Sequence, residues 1–284
     1  SDLSLQDLKE FRSYGSKTPG HPEYRVTDGV EVSTGPLGQG VANAVGMAIA
    51  ESIMEERFNT VGFNIINHYT YCFAGDGCLM GGVAQEACSL AGALRLKKLI
   101  LLYDSNNVTI DGPLHIASRE NVAKKFRAMG WNVIKVKNGN SYFSCTRAIA
   151  RAKKSSKPTI IIFKTTIGIG TDKEGTSAVH GAYLNDAELK AFKERLKVKE
   201  SFYIPSDVRE FCMATTRRGK LNHEKWNQTL AMYSSTHPEL YKSFMAFFDK
   251  KKINFERIVR NIAKYDGQSM RKVNHYALSE LAYQ

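Results

Sequence analysis

Tyr69-Thr70-Tyr71-Cys72-Phe73-Ala74 runs into Gly75-Asp76-Gly77, and Leu99-Ile100-Leu101-Leu102-Tyr103 runs into Asp104-Ser105-Asn106-Asn107. Both are short, β-prone runs that stop at small and polar residues. Between them, 83–94 reads as a helix. A strand, a helix and a second, uninterrupted apolar strand predict a right-handed crossover between parallel strands, in a sheet covered on both faces.

The same alternation continues outward. A basic helix around 119–129 stops at Gly130; then come a strand over 131–136, a helix over 141–153 and a strand over 159–165. Upstream, 41–58 is a helix of small and apolar residues, with Val41, Val45, Ala48, Ile49 and Ile53 as its buried stripe. The first twelve residues predict a short helix. Two Gly-rich loops, 14–40 and 166–184, are too long to be filler. Beyond them Asn185 and Glu188 form a capping box for a helix over 187–196, and further helices start near Ser206, His223 and Pro238. The expected class is α/β: a doubly wound, mostly parallel sheet flanked by helices, followed by a helical linker.

Composition excludes little but orders the alternatives. No stretch approaches the roughly 20 apolar residues of a membrane helix, and the first residues show no secretory pattern. The five cysteines form no CxxC pair, which points to a reducing, cytoplasmic setting and away from structural zinc. The net charge of +12 has three readings: nucleic-acid contacts, solvated helix faces, or attraction of anionic small substrates. Charge alone does not choose among them. A basic face with interleaved aromatics is lacking, so neither nucleic acid nor membrane is expected as a partner.

In an open parallel sheet, ligands bind beyond the carboxyl ends of the strands. Asp76 and, thirty positions on, Asn106 stand at two such ends. A carboxylate, an amide oxygen and a nearby main-chain carbonyl suit Mg²⁺ or Ca²⁺, with water or a diphosphate completing the shell. Gly75 and Gly77 leave room for phosphate, and the following helix can offer free N–H groups. Gly-Asp-Gly alone is a common turn. Its coupling to Asn106 at this spacing makes it specific, and the pair resembles the thiamine-diphosphate motif.

The surrounding words narrow the likeness. Thr18-Pro19-Gly20-His21-Pro22-Glu23, Thr34-Gly35-Pro36-Leu37-Gly38-Gln39-Gly40, Gly75-Asp76-Gly77-Cys78-Leu79, Ser89-Leu90-Ala91-Gly92, Ile110-Asp111-Gly112 and Val179-His180-Gly181-Ala182 resemble transketolase, in order. The match covers most of 1–190, fades in the helical linker, and returns at Met270-Arg271-Lys272. The resemblance implies a diphosphate-binding domain over 1–218 lacking its beginning, a linker over 219–269, and the truncated start of a pyrimidine-binding domain over 270–284. It implies thiamine diphosphate as cofactor with Mg²⁺, or Ca²⁺ or Mn²⁺, held by Asp76, Asn106 and the main-chain oxygen of Val108. It places Gly35, Pro36, Leu37, Gly75, Gly77, Asn106, Ile110 and His180 at the cofactor. His21 and His180 take catalytic roles and, with Arg271, meet the substrate; Arg271 grips the acceptor's phosphate.

The activity so implied is reversible transfer of a two-carbon ketol unit between sugar phosphates, through a thiamine-diphosphate enamine. It belongs to the pentose phosphate pathway and is carried out by a homodimer. Dihydroxyacetone synthase would share most of these words. Two departures bear on activity. Gly81 stands where the family has an interface glutamate, which keeps a non-catalytic relative open as an alternative, and Tyr183 replaces a proline after His180-Gly181-Ala182.

Overall fold

The computed structural model describes residues 3–198, 200–249 and 253–282. The chain divides into two compact units, Ser1–Asn222 and His223–Gln284. In the first, α1 (Leu5–Lys9) is opened by a capping box between Ser4 and Asp7, and α2 is Gln39–Phe58. Next come β1 (Thr70–Gly75), a 3₁₀ turn (Gly77–Leu79), α3 (Gly82–Ala93) and β2 (Leu99–Ser105). A small hairpin of β3 (Val108–Thr109) and β4 (Gly112–Pro113) leads to α4 (Leu114–Ala117) and α5 (Val122–Ala128). Then follow β5 (Asn132–Val136), α6 (Tyr142–Ala152), β6 (Thr159–Lys164) and α7 (Asp186–Arg195). The Asn185–Glu188 capping box opens α7 as the sequence predicts.

The four long strands form one parallel sheet in the order β1-β2-β6-β5. Successive side chains point to opposite faces, and each face has its own core. On one, Cys72, Ala74, Leu99, Leu101, Tyr103 and Ile160 pack with Val41, Val45 and Ala48 of α2, Ala84, Cys88 and Ala91 of α3, and Phe126 of α5. On the other, Ile100, Leu102, Ile134, Val136 and Ile161 pack with Ala148 and Ala152 of α6. The doubly wound α/β class therefore stands.

Two contacts show why α3 sits where it does. A Cβ on Gly92 would lie 1.7 Å from the main-chain oxygen of Met129, so only glycine admits the end of α5 this closely. Alongside, the indole Nε1 of Trp131 donates to the Cys88 oxygen at 2.8 Å, and Phe126 meets Trp131 edge to face at 5.1 Å. At the same, amino-terminal end of the strands, Lys98, just before β2, is buried between Glu51 at 2.6 Å and Glu55 at 2.9 Å on α2. Burial alone would lower the Lys98 pKa; hydrogen bonds to the two carboxylates more than reverse that and raise it.

The sequence predicts separate helices near Ser206 and His223, but one continuous helix, α8, spans Ser206–Thr236. Gly219 costs a helix about 1 kcal/mol, and the good helix formers around it carry the helix through. In the second unit, α9 (Pro238–Met245) begins with Pro238 in its first turn, followed by α10 (Phe255–Ala263) and α11 (Met270–Ala282). Tyr265 stacks on Tyr276 with centroids 3.5 Å apart, and Asn261 Nδ2 donates to Glu280 at 2.7 Å.

Candidate functional site

The site is built where β1 and β2 end together. Gly75 is in register with Asp104, so Asp76, the residue just past β1, arrives beside the end of β2. Asp76 is 5% exposed, and its carboxylate is held at both oxygens by residues of β2 and the turn just past it. Tyr103 Oη donates to Oδ1, and the main-chain N–H of Asn107 donates to Oδ2 at 3.0 Å. Burial pushes the Asp76 pKa above the ordinary carboxylate value; the Tyr103 and Asn107 hydrogen bonds oppose it, and the Asp104 charge adds to it.

Asn106 lies next to this carboxylate. Its Oδ1 accepts from the Val108 N–H at 3.0 Å, and its Nδ2 donates to Asp104 at 3.3 Å, so the amide oxygen faces the β3 turn. Val108 is paired with Pro113 across the small hairpin. The neighbouring Asn107 carbonyl accepts from the Leu114 N–H at 2.9 Å, so Val108 stands in the non-hydrogen-bonded pair of the hairpin and its carbonyl is directed away from Pro113. A buried carboxylate, an amide oxygen and a main-chain carbonyl are hard donors, drawn here from the ends of two neighbouring strands and the turn that follows. They fit a divalent metal that keeps water or phosphate in its remaining positions. Among the described residues no cluster of three His, Cys, Asp or Glu side chains offers a rival site.

The first Gly-rich loop is folded onto this turn. A Cβ on Gly77 would stand 3.1 Å from Leu37 Cδ1, and one on Gly38 would meet Val83 and Ala84 at the start of α3. Leu37 is itself 64 % exposed, leaving an apolar surface beside Gly77. Gly75 has nothing within 4 Å of where a Cβ would be. His21 is brought to the same loop: its ring lies 2.8 Å from the position of a Gly35 Cβ, so glycine there is a condition of the packing. Pro36 is exposed, and Ile110, at the hairpin tip, is 67 % exposed.

A cleft of about 450 Å³ opens against Asp76, Tyr103 and Asn107. Lys135, Lys137 and Lys164 line it from the ends of β5 and β6. Val136 is in register with Phe163, so Lys137 and Lys164 follow at adjoining strand ends, and with Lys135 they concentrate positive charge along the cleft.

His180 follows a 3₁₀ turn (Ser177–Val179) in the second Gly-rich loop, which folds on itself through Val179 against Gly168. The His180 side chain is exposed, and the His180 main-chain N–H donates to the Ser177 carbonyl at 2.9 Å within the loop. Arg271 is in the first turn of α11, in the second unit. Tyr103 and Asn107, which hold Asp76, do not stand out in the sequence. Tyr103 reads there as the last apolar residue of a strand; its hydroxyl, the one polar group in that run, is the signal.

A parallel α/β sheet that brings a buried carboxylate and an amide side chain to adjoining strand ends, beside a glycine-rich loop, has the form of an α/β ligand-binding domain. The family model described as transketolase, thiamine diphosphate binding domain, matches residues 1–252. A transketolase from Geobacillus stearothermophilus is 52% identical over 244 residues, covering 84% of this chain and 36% of that protein. The solved transketolase of Leishmania mexicana superposes with a TM-score of 0.84 at 46% identity, over 86% of this chain and 37% of that one. A Pichia stipitis transketolase, solved in complex with sedoheptulose 7-phosphate, gives a TM-score of 0.86 at 40% identity, over 90% and 39%. The chain belongs to the transketolase family and carries its thiamine diphosphate-binding domain. It spans about a third of the length of the curated relatives it matches.

Proposed function

We propose that this chain supplies the metal- and diphosphate-binding half of a transketolase active site. The reaction is reversible transfer of a two-carbon ketol unit from a ketose phosphate such as xylulose 5-phosphate to an aldose phosphate such as ribose 5-phosphate. The observation that carries this reading is the buried Asp76 carboxylate beside Asn106 and Val108, tied to Asn107 at 3.0 Å.

In this reading Asp76, Asn106 and the Val108 oxygen hold Mg²⁺, with Ca²⁺ or Mn²⁺ as substitutes. Gly75 and Gly77 allow phosphate close to the backbone, and His180 meets the diphosphate. Gly35, Pro36, Leu37 and Ile110 give the cofactor's rings an apolar bed. When bound, thiamine diphosphate supplies the carbon nucleophile and electron sink for carbon–carbon cleavage. His21 and His180 orient donor hydroxyls by hydrogen bonding, and Arg271 takes the acceptor phosphate. The lysines of the cleft favour anionic sugar phosphates.

The assembly is a homodimer in the cytoplasm, acting in the pentose phosphate pathway. Supporting the dimer, α3 leaves Val83, Glu86 and Leu90 exposed, a partly apolar strip around a carboxylate. Among the described residues no helix is long and apolar enough to cross a membrane. Gly81, in place of the family's glutamate, favours a second reading in which the cofactor binds but turnover is impaired.

Titration calorimetry with Mg²⁺ and thiamine diphosphate tests the first step. Saturable binding that Asp76→Ala abolishes is expected, and a wild-type chain that folds without binding would sink the proposal. Ketol transfer by the chain joined to the remaining portion of the Geobacillus relative separates the two readings: binding without turnover selects the second.

A further inference from the structure

Lys135, Lys137 and Lys164 line the cleft, and among the described residues none of the three has an ion pair or a side-chain hydrogen bond. The two carboxylates of the cleft are committed elsewhere: Asp76 to Tyr103 and Asn107, and Glu120 to Lys125 at 2.7 Å. Three positive charges therefore gather with no counter-charge of the chain's own. Like charges opposed on neighbouring strands are destabilising, and an anion between them removes that cost. Two neutral donors line the same cleft. Ser118 Oγ accepts from the Glu120 N–H at 3.3 Å, which leaves its hydrogen to give. Asn121 Oδ1 accepts from the Lys124 N–H at 3.0 Å, which leaves its Nδ2.

The sheet order sets β6 two strands and β5 three strands from β1, about 10 and 14 Å at the usual strand spacing. Gly75, Gly77 and the loop carrying Leu37 lie on the β1 side. The lysines therefore serve a second position, across the width of β2 from the glycines. Met80, Val122 and Ile162 give the cleft an apolar wall, and its volume of about 450 Å³ is that of a small-molecule site. Ammonium, amide and hydroxyl donors together recognise phosphate oxygens. We infer that the lysine end of the cleft is a phosphate-binding subsite, distinct from the cofactor's diphosphate position. Its ligand is a small phosphate monoester that lays its carbon part against the apolar wall. No metal is needed to hold it.

Phosphorus NMR titrations with phenyl phosphate and with inorganic phosphate, in EDTA and without thiamine diphosphate, test this. The wild-type chain is expected to bind phenyl phosphate saturably, and about 10-fold more tightly than inorganic phosphate, as burial of part of a ring gives. Lys137→Gln and Lys164→Gln are each expected to weaken phenyl phosphate binding about 10-fold or more. Both lysines are exposed, so the variants keep the fold. Lys190→Gln, on α7 and outside the cleft, is expected to leave binding unchanged. So is saturation of the wild type with Mg²⁺ and thiamine diphosphate. Absence of saturable binding, equal affinity for the two phosphates, an equal fall with Lys190→Gln, or competition from the cofactor would each overturn the inference. An equal fall with Lys190→Gln is what a merely basic surface gives. The metal-free titration decides the subsite even if the chain binds no cofactor, so the two readings fail separately.

Discussion

The main-chain N–H of Asn107 donates to the Asp76 carboxylate at 3.0 Å, joining the end of β2 to the end of β1 across 31 residues of sequence. Asn107 can point its N–H this way because its φ is 63°, a conformation that asparagine and glycine tolerate and β-branched residues do not. Asn107→Gly is therefore expected to retain binding of Mg²⁺ and thiamine diphosphate. Asn107→Val is expected to weaken it, with a strain cost of about 1–2 kcal/mol. Calorimetry on both variants checks the pair, and equal binding by the two would count against the turn's role.

Asp76 makes cofactor binding dependent on pH. Its pKa is raised in the folded chain above the ordinary 3.8, chiefly by burial. The contribution of such a group to native stability is fully present below 3.8 and is lost as pH rises through the folded value. A cation needs the ionised form, so its stabilisation runs the other way. The gain in thermal midpoint from saturating Mg²⁺ and thiamine diphosphate is expected to be small in acid and to grow until pH passes the folded pKa. A gain independent of pH across that window would contradict the assignment.

Lys98 is 8% exposed and Glu51 3%, and Glu55 completes the group. Removing one partner of a buried ion pair strands the other charge, at a cost of about 3–5 kcal/mol. Lys98→Ala should lose stability on that scale in urea denaturation, with cofactor affinity of the surviving folded fraction unchanged. The group lies at the end of the sheet opposite Asp76, which is why the two properties are expected to separate.

Gly92 tests the packing of α3. A methyl group there would lie 1.7 Å from the Met129 oxygen, a backbone atom that cannot step aside without moving the end of α5. Gly92→Ala is expected to cost about 3 kcal/mol or more, the upper end of overpacking penalties. Denaturation midpoints measure it directly.

Gly81 is the opposite case. It is the N-cap of α3 with φ −71° and ψ 136°, and an added Cβ would find Leu37 oxygen at 3.6 Å and Cys78 oxygen at 4.0 Å, ordinary contacts. Gly81→Glu is expected to fold normally. Its carboxylate beside the positive end of α3 should add up to about 1 kcal/mol. A fall in thermal midpoint would show that the position excludes a side chain.

The chain order of strands and helices was legible because an apolar run ending at Gly75-Asp76-Gly77 and another ending at Asp104-Ser105-Asn106 are local signals. The capping box at Asn185 and Glu188 was legible for the same reason: its partners are three residues apart. The separate helix starts read near Ser206 and His223 belong to one helix, α8, whose only glycine, Gly219, lowers helix propensity without ending the helix. The β3–β4 hairpin, two residues on each side, was too short to leave a periodic pattern.

By itself, the amino-acid sequence determined the α/β alternation, the residues Asp76 and Asn106 at strand ends, and the family to which they point. Only the tertiary structure decided that β6 sits between β2 and β5, that Tyr103 and Asn107 hold Asp76, and that His21 rests on Gly35. The physical reason is range. Periodicity and capping act over a few residues, whereas the strand order and the hold on a carboxylate come from contacts between segments tens of residues apart, set by how the two apolar faces of one sheet are covered.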